Sequence, residues 1–119
     1  MCAVKPIEIT VTQHQGAALV TVSGHVTASD TDRLSAALEN LIASKADLVI
    51  VDLRGVDLIT SDGLGALIRA RKALTDYGAR LALTGLTGNV LDVFTMTRLD
   101  KVFSMYDSPD TALAAGPLG

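Results

Sequence analysis

The 119-residue chain contains one cysteine, no tryptophan and few aromatic residues, which make up 3% of the total. The lone thiol of Cys2 excludes an intramolecular disulfide and a cysteine-based metal site, and it suits a reducing compartment. Scarce aromatic rings leave few platforms on which nucleic-acid bases could stack. We therefore expect an aliphatic core built from Leu, Val, Ile and Ala.

Positive charge is sparse as well. Ten Lys and Arg residues oppose 13 Asp and Glu, which gives a formal net charge of −3, and no basic cluster forms. Nucleic acid and anionic lipid are therefore not favoured as partners. No apolar run approaches the ~18 residues of a membrane span, and the N-terminus lacks the apolar stretch of a signal peptide. We expect a cytoplasmic protein without a membrane partner.

Several sequence motifs of enzymes are missing. The phosphate-binding patterns Gly-x4-Gly-Lys-Ser/Thr and Gly-x-Gly-x-x-Gly do not occur. Ser61 is not the serine of a Gly-x-Ser-x-Gly nucleophile elbow, because Ile59 stands where the first glycine is needed. The two histidines, His14 and His25, lie in a polar segment where a solvated imidazole is expected. We therefore predict that the protein is not an enzyme.

The acidic residues do not form a recognisable metal site. Asp52, Asp57 and Asp62 recur every five residues, but this spacing matches neither a calcium loop nor a zinc site. A strand that ends at Asp52 resembles the phosphoacceptor strand of a receiver domain. Such domains follow their first strand with an acidic pair for Mg²⁺, and here Gln13 begins the corresponding segment. We expect no metal and no cofactor.

The residues that are present describe a single globular domain. Hydrophobic residues make up 49% of the chain and charged residues 19%. A chain of this length buries roughly two-thirds of its extended surface, which is enough for a core without disulfides or metals. We expect one domain over residues 1–119, with a core at about 7–115 and frayed ends at 1–6 and 116–119.

The hydrophobic pattern in the first half of the chain predicts a β-hairpin followed by a helix. Apolar and polar residues alternate at 7–12 and 19–22, and Gln15–Gly16 supplies a turn between them. Ser29 or Asp30 can cap the helix that follows. Its apolar positions recur at helical spacing: Leu34, Ala37, Leu38, Leu41 and Ile42. A continuous apolar run at 48–53 then predicts a central strand buried on both faces.

The second half predicts alternating helices and strands. One helix ends at Tyr77–Gly78, a strand covers 80–84, and Asn89 caps a short helix. The first of these helices carries an apolar stripe: Leu64, Leu67, Ile68, Ala70, Leu74 and Tyr77. A strand at 102–106 and a last helix from Ser108 complete the chain. The class is α/β, with a mixed β-sheet of about four to five strands and about four helices packed on it.

The segment between the central strand and the next helix carries the strongest functional signal. A short turn is expected after the strand, and Thr60, Ser61 and Asp62 then open the helix. Unpaired amides and the positive end of the helix dipole favour an anion there. Gly63 and Gly65 let a backbone or a phosphate come close. In the alternative interpretation, a hydroxyl here is only an N-cap and Asp62 is only a favourable first-turn acid.

With these elements in place, the chain resembles the STAS domain family from about residue 7 to 115. Within that family it is most similar to the bacterial anti-sigma factor antagonists. The most specific part is the strand-turn-helix of residues 49–67. In the family the turn typically reads Asp-Ser-Ser/Thr-Gly-Leu-Gly, and its first serine accepts a phosphate from the anti-sigma factor, a serine kinase. Here Ser61 holds that position, Thr60 replaces the Asp, and Asp62 replaces the second hydroxyl residue.

The resemblance implies a partner switch in transcription regulation. An unphosphorylated antagonist binds the kinase and frees its sigma factor, whereas the form phosphorylated at Ser61 dissociates from the kinase. The implied partner surface comprises residues of the turn and of the preceding loop: Thr60, Ser61, Asp62, Gly63, Leu64, Gly65, His25 and Thr27. The resemblance implies no cofactor and a monomer or weak dimer. A scaffold subunit of a sensory assembly, a ligand-binding domain and a STAS domain no longer controlled by phosphorylation remain alternatives.

Overall fold

The computed structural model describes residues 8–14, 17–26, 31–106, 108, 111, 112 and 114. The strands are β1 (Glu8–His14), β2 (Ala17–Val26), β3 (Leu48–Ile59), β4 (Arg80–Thr84) and β5 (Ser104–Tyr106). The helices are α1 (Thr31–Ala43), α2 (Ser61–Asp76) and α3 (Gly88–Met96), and a 3-10 helix spans Leu99–Lys101.

The five strands form one mixed sheet in the order β1-β2-β3-β4-β5. β1 and β2 are the predicted antiparallel hairpin, and every later pair of neighbours is parallel. Each parallel connection crosses over through a helix, as such connections require. β3 lies in the middle of the sheet and residues 48–53 are all buried, which confirms the predicted central strand. The α/β class and the five-strand mixed sheet are likewise confirmed.

The short turn predicted between the central strand and the next helix is wrong. β3 continues to Ile59, which lies opposite Val26 of β2, and the pairing crosses two register shifts on the way. Glycines permit these irregularities. A Cβ on Gly55 would lie 2.7 Å from Ser23 Cβ, and Gly24 has a φ of 92°. Both strands therefore extend to the point where α2 begins.

The helices α1, α2 and α3 cover one face of the sheet. Their buried side chains join those of β2, β3 and β4 in one cluster, in which Phe94 and Phe103 meet edge to face at 5.8 Å. A smaller cluster joins Leu48 and Ile50 to Ala112, and strand alternation places it on the opposite face. Aliphatic side chains dominate both clusters, as the composition predicts.

Three α-helices lie within the described residues, slightly fewer than the four predicted. The last predicted helix is described only at Thr111, Ala112 and Ala114, which are helical. Four residues that the sequence assigns to caps or turns lie outside the described part of the chain: Gln15, Gly16, Ser29 and Asp30.

Three predicted details of the later elements are wrong. Ile68, assigned to the buried stripe of α2, is 41% exposed, whereas Ala66, which the predicted stripe omits, is buried. The N-cap of α3 is Thr87 and not Asn89. β5 starts two residues later than predicted, because the 3-10 helix and the turn after it occupy residues 99–103.

Candidate functional site

The site lies where the carboxyl ends of β2 and β3 meet the amino end of α2. Ser61 is the first residue of α2, and Thr60 is its N-cap with an extended backbone (φ −91°, ψ 171°). The Thr60 amide donates to the Val26 carbonyl at 3.0 Å, and the Leu64 amide donates to the Thr60 carbonyl at 3.0 Å. The first bond ties the start of the helix to the end of β2, and the second closes the first turn of α2. The amides of residues 61–63 precede the first intrahelical bond and are the donors that a helix start leaves unpaired.

Two neighbouring hydroxyl groups are placed differently at this helix start. Ser61 is exposed. The Thr60 Oγ1 is buried, makes no capping hydrogen bond and has no partner in the described part of the chain. Thr60 is therefore an N-cap by position only. A protein that approaches the amino end of α2 meets the hydroxyl of Ser61 and not that of Thr60.

The two glycines of the turn have different neighbours. A Cβ on Gly63 would lie 2.8 Å from Val26 Cγ1 and 2.9 Å from Ile59 Cγ1, so the missing side chain lets α2 rest directly on the sheet. A Cβ on Gly65 would meet only the Nη1 atom of Arg69, at 3.3 Å. At Gly63 the close neighbour is therefore the core rather than an incoming phosphate, whereas Gly65 opens towards the outer side of the helix.

The other predicted site residues divide between the surface and the core. Asp62 is exposed in the first turn of α2, whereas Leu64 is 8% exposed and faces the core. His25 is half-buried in β2 and lies opposite Leu58 of β3, so the sheet brings it to the same edge as the start of α2. Thr27 lies outside the described residues.

Sequence reasoning missed Leu58 at this edge. Leu58 is 45% exposed beside His25. The sequence predicted a turn at this position, so a strand residue facing outwards was not expected. Its outward orientation follows the register shift between Gly24 and His25, which leaves no clear pattern in the sequence. The edge therefore combines an exposed hydroxyl, an exposed carboxylate and an exposed aliphatic side chain.

An ion pair between the buried Asp52 and the exposed Arg54 lies on the opposite face of the sheet, close to the same edge. The Asp52 carboxylate, 4% exposed, accepts hydrogen bonds from the Arg54 backbone amide at 3.1 Å and from Arg54 Nη2 at 3.1 Å. Residues two apart on a strand share a face, so the Asp-x-Arg spacing is the signal that could have predicted this pair. The Asp52 side chain is engaged in holding Arg54, which fits a structural role.

The described residues offer no second chemical centre. No three His, Cys, Asp or Glu side chains among them are grouped to hold a metal ion. None of the helices in these ranges is long and apolar enough to cross a membrane. Burial, and then the Asp47 carboxylate, raise the pKa of Tyr77 above its ordinary value of 10.0. Its hydroxyl donates to the Ala46 carbonyl at 2.7 Å, at the far end of α2 from Ser61.

Known proteins match this chain over most of its length. The sequence profile of the STAS domain matches residues 8–112. A Paenibacillus polymyxa protein named anti-sigma F factor antagonist is 22% identical over 90% of this chain and 92% of its own length. BtrV of Bordetella bronchiseptica, named as a candidate anti-sigma factor antagonist, is 26% identical over 92% of this chain and 94% of its own length. The crystal structure of an anti-sigma factor antagonist from Mycobacterium paratuberculosis matches with a TM-score of 0.86 at 26% identity, and it covers 97% of each chain.

Proposed function

Because the chain belongs to the STAS domain family, we propose that it is an anti-sigma factor antagonist, a binding module that takes up an anti-sigma factor and thereby releases a sigma factor. The relatives that carry this name align over nearly their whole length, so the likeness concerns the complete domain. The partner in this proposal is a protein, which agrees with the acidic net charge and with the mixed apolar and polar edge around Ser61.

In this proposal the anti-sigma factor is a serine kinase and Ser61 is its target. The observation that carries the assignment is the exposure of Ser61 as the first residue of α2, beside the buried hydroxyl of Thr60. In the transfer, Ser61 Oγ forms a bond to the γ-phosphorus of ATP held by the kinase, and the bond from that phosphorus to the bridging oxygen breaks. ADP leaves, and the hydroxyl proton passes to a base of the kinase.

A phosphate on Ser61 would act on binding through its charge. It adds about −1.5 to −2 at neutral pH. The helix start accepts this charge within the protein, because free amides and the positive end of the dipole face it. In a packed interface the same charge loses its hydration and is repelled by the neighbouring Asp62 carboxylate, and both effects oppose binding. Phosphorylation of Ser61 therefore preserves the folded structure and weakens the complex with the anti-sigma factor.

The proposed contact surface surrounds Ser61 at the end of the sheet. Ser61 and Asp62 are its exposed polar residues, and His25 and Leu58 extend it across β2 and β3. Gly63 acts from inside by setting the distance between α2 and the sheet. We keep Thr27 in the surface as a prediction that rests on the family resemblance.

An affinity capture with three baits tests the proposal. Wild-type bait should retain a serine kinase that phosphorylates Ser61, and Ser61→Glu should retain at least tenfold less of it, which corresponds to ~1.4 kcal/mol. Asn40→Glu is the matched control, because it adds the same charge at an exposed position near the end of α1, which leads to the amino end of β3. This control should bind as the wild type does.

Other outcomes of the same experiment would favour the alternatives. A retained kinase that is active but leaves Ser61 unmodified would indicate a STAS domain no longer controlled by phosphorylation. Self-association into a large particle during size-exclusion chromatography, with no kinase retained, would indicate a scaffold subunit. Equal retention by wild-type and Ser61→Glu baits would contradict the switch itself.

A further inference from the structure

Arg69 lies on the exposed side of α2, two turns after Ser61, and its guanidinium extends back over Gly65. The Nη1 atom is 3.3 Å from the position that a Cβ of Gly65 would occupy. Long side chains on a helix lean towards its amino end, and the bare Cα of Gly65 leaves the space in which this one lies. The positive charge of Arg69 is thus carried along the helix towards Ser61.

The remaining gap between Arg69 and Ser61 is short. Residues four apart on a helix have Cβ atoms about 5–6 Å apart. Adding the 3.3 Å from Nη1 to the Gly65 position places Nη1 at most about 9 Å from the Cβ of Ser61. Ser61 is exposed, so a phosphate on its Oγ is free to rotate towards this gap, and a rotation of the Arg69 side chain can bring the two charges together.

The charges around Arg69 leave it available for such a contact. No ion pair joins it to a carboxylate within the described residues. Glu39 of α1 faces it across the groove between α1 and α2 but forms no ion pair with it, and Asp62 is the exposed acid at the helix start. Each of these carboxylates carries one charge, whereas a phosphate carries up to two and offers three oxygens to the guanidinium fork.

We propose that Arg69 is the internal counter-charge of phosphorylated Ser61, a positioning residue that reaches the phosphate across Gly65 and holds it against the start of α2. This inference rests on the proposed function, because Arg69 has this role only when Ser61 carries a phosphate. The contact favours the doubly charged form of the phosphate, so that the full charge of the switch is present at neutral pH.

The test measures the second pKa of phosphoserine at position 61 by phosphorus NMR. The phosphoserine is installed during translation, so the measurement does not depend on a kinase. A unit charge about 6 Å away in water shifts such a pKa by about 0.5, a threefold change in the acid constant. At low salt, Arg69→Gln should therefore raise the pKa by about 0.3–0.5. In ~1 M salt the difference should vanish, because screening then acts within about 3 Å.

Two further variants test the path of the contact. Lys72→Gln removes the same charge from an exposed position of α2 about 16 Å along the helix from Ser61, and it should shift the pKa by about 0.2 or less. Gly65→Ala requires the flexible end of Arg69 to give by only a few tenths of an ångström, so it should leave the pKa close to the wild-type value. Equal pKa values for Arg69→Gln and Lys72→Gln would overturn the inference. A kinase that fails to modify Ser61 would contradict the proposed function and leave this titration unchanged.

Discussion

A methyl group at Gly63 is expected to separate the start of α2 from the sheet. The added Cβ of Gly63→Ala would lie 2.8 Å from Val26 Cγ1 and 2.9 Å from Ile59 Cγ1, well inside van der Waals contact. Overpacking of this kind typically costs 1–3 kcal/mol. The helix propensity of alanine returns at most about 1 kcal/mol, since this residue lies in the first turn. We therefore predict a net loss of about 1–2 kcal/mol in the free energy of unfolding.

Gly65→Ala is the matched control, because it makes the same chemical change two residues further along the same helix. Its Cβ would meet only the flexible end of Arg69, so the gain in helix propensity should dominate. We expect Gly65→Ala to stabilise the protein by about 0.5–1 kcal/mol. Urea unfolding followed by circular dichroism measures both variants. A gap of about 2 kcal/mol between them displaces their midpoints by about 1 M at the m-values of small domains.

The two substitutions are expected to change the free energy of unfolding in opposite directions, and this difference in sign is the most specific part of the prediction. Helix propensity alone would make both variants more stable than the wild type. If Gly63→Ala were as stable as Gly65→Ala with an unchanged m-value, the contact between α2 and the ends of β2 and β3 would not have the closeness described here. The role of Gly63 in positioning Ser61 would then be refuted.

Three further substitutions have defined outcomes. Asp62→Ser should lower the free energy of unfolding by ~0.3–1 kcal/mol through the helix dipole and leave partner affinity unchanged; calorimetry that found tighter binding at unchanged stability would contradict this. Thr60→Val should be neutral or stabilising and should leave phosphorylation of Ser61 intact, because the buried Thr60 Oγ1 has no hydrogen-bond partner in the described part of the chain; a thermal midpoint well below that of the wild type would argue for an essential hydroxyl. Tyr77→Phe should cost about 1 kcal/mol at pH 7 through the lost bond to Ala46. The pKa of Tyr77 is raised in the folded state, so the hydroxyl stabilises the fold fully below pH 10 and loses this contribution as the pH rises through the folded-state pKa. In urea titrations, the difference in unfolding free energy between wild type and Tyr77→Phe should therefore shrink above pH 10.

Local sequence patterns were sufficient for the parts of the fold that local interactions decide. Alternation predicted the hairpin, and the apolar run at 48–53 predicted a central strand. The strand at 80–84 matches β4, and the predicted end at Tyr77–Gly78 is correct, because Gly78 adopts a φ of 86° that closes α2. These features depend on side-chain periodicity and on one conformationally permissive residue, which a single sequence displays.

The errors arose where distant segments decide the structure. β3 continues past residue 53 because β2 offers a partner across two register shifts, and the close approach of Gly55 to Ser23 is visible only once the strands are paired. Ala66 and Ala70 of α2 line the groove beside α1, whereas Ile68 is not among the residues that line it and is 41% exposed.

The candidate site was predictable in its position but not in its detail. The hydroxyl residues at the start of α2 follow from capping preferences and from the resemblance to the STAS family. That the Thr60 hydroxyl is buried while Ser61 is exposed depends on the bond between the Thr60 amide and the Val26 carbonyl, a contact between residues 34 positions apart. The position of Arg69 over Gly65 depends on a side-chain conformation that no spacing rule specifies.

The central claim, that Ser61 lies in a contact surface switched by phosphate, is tested most directly by calorimetry with the anti-sigma factor recovered in the affinity capture. Ser61→Glu should weaken binding at least tenfold, equal to ~1.4 kcal/mol, because its charge beside Asp62 must be desolvated on binding. Ser61→Ala should bind nearly as the wild type does, since it adds no charge. An affinity for Ser61→Glu equal to that of the wild type would contradict the claim.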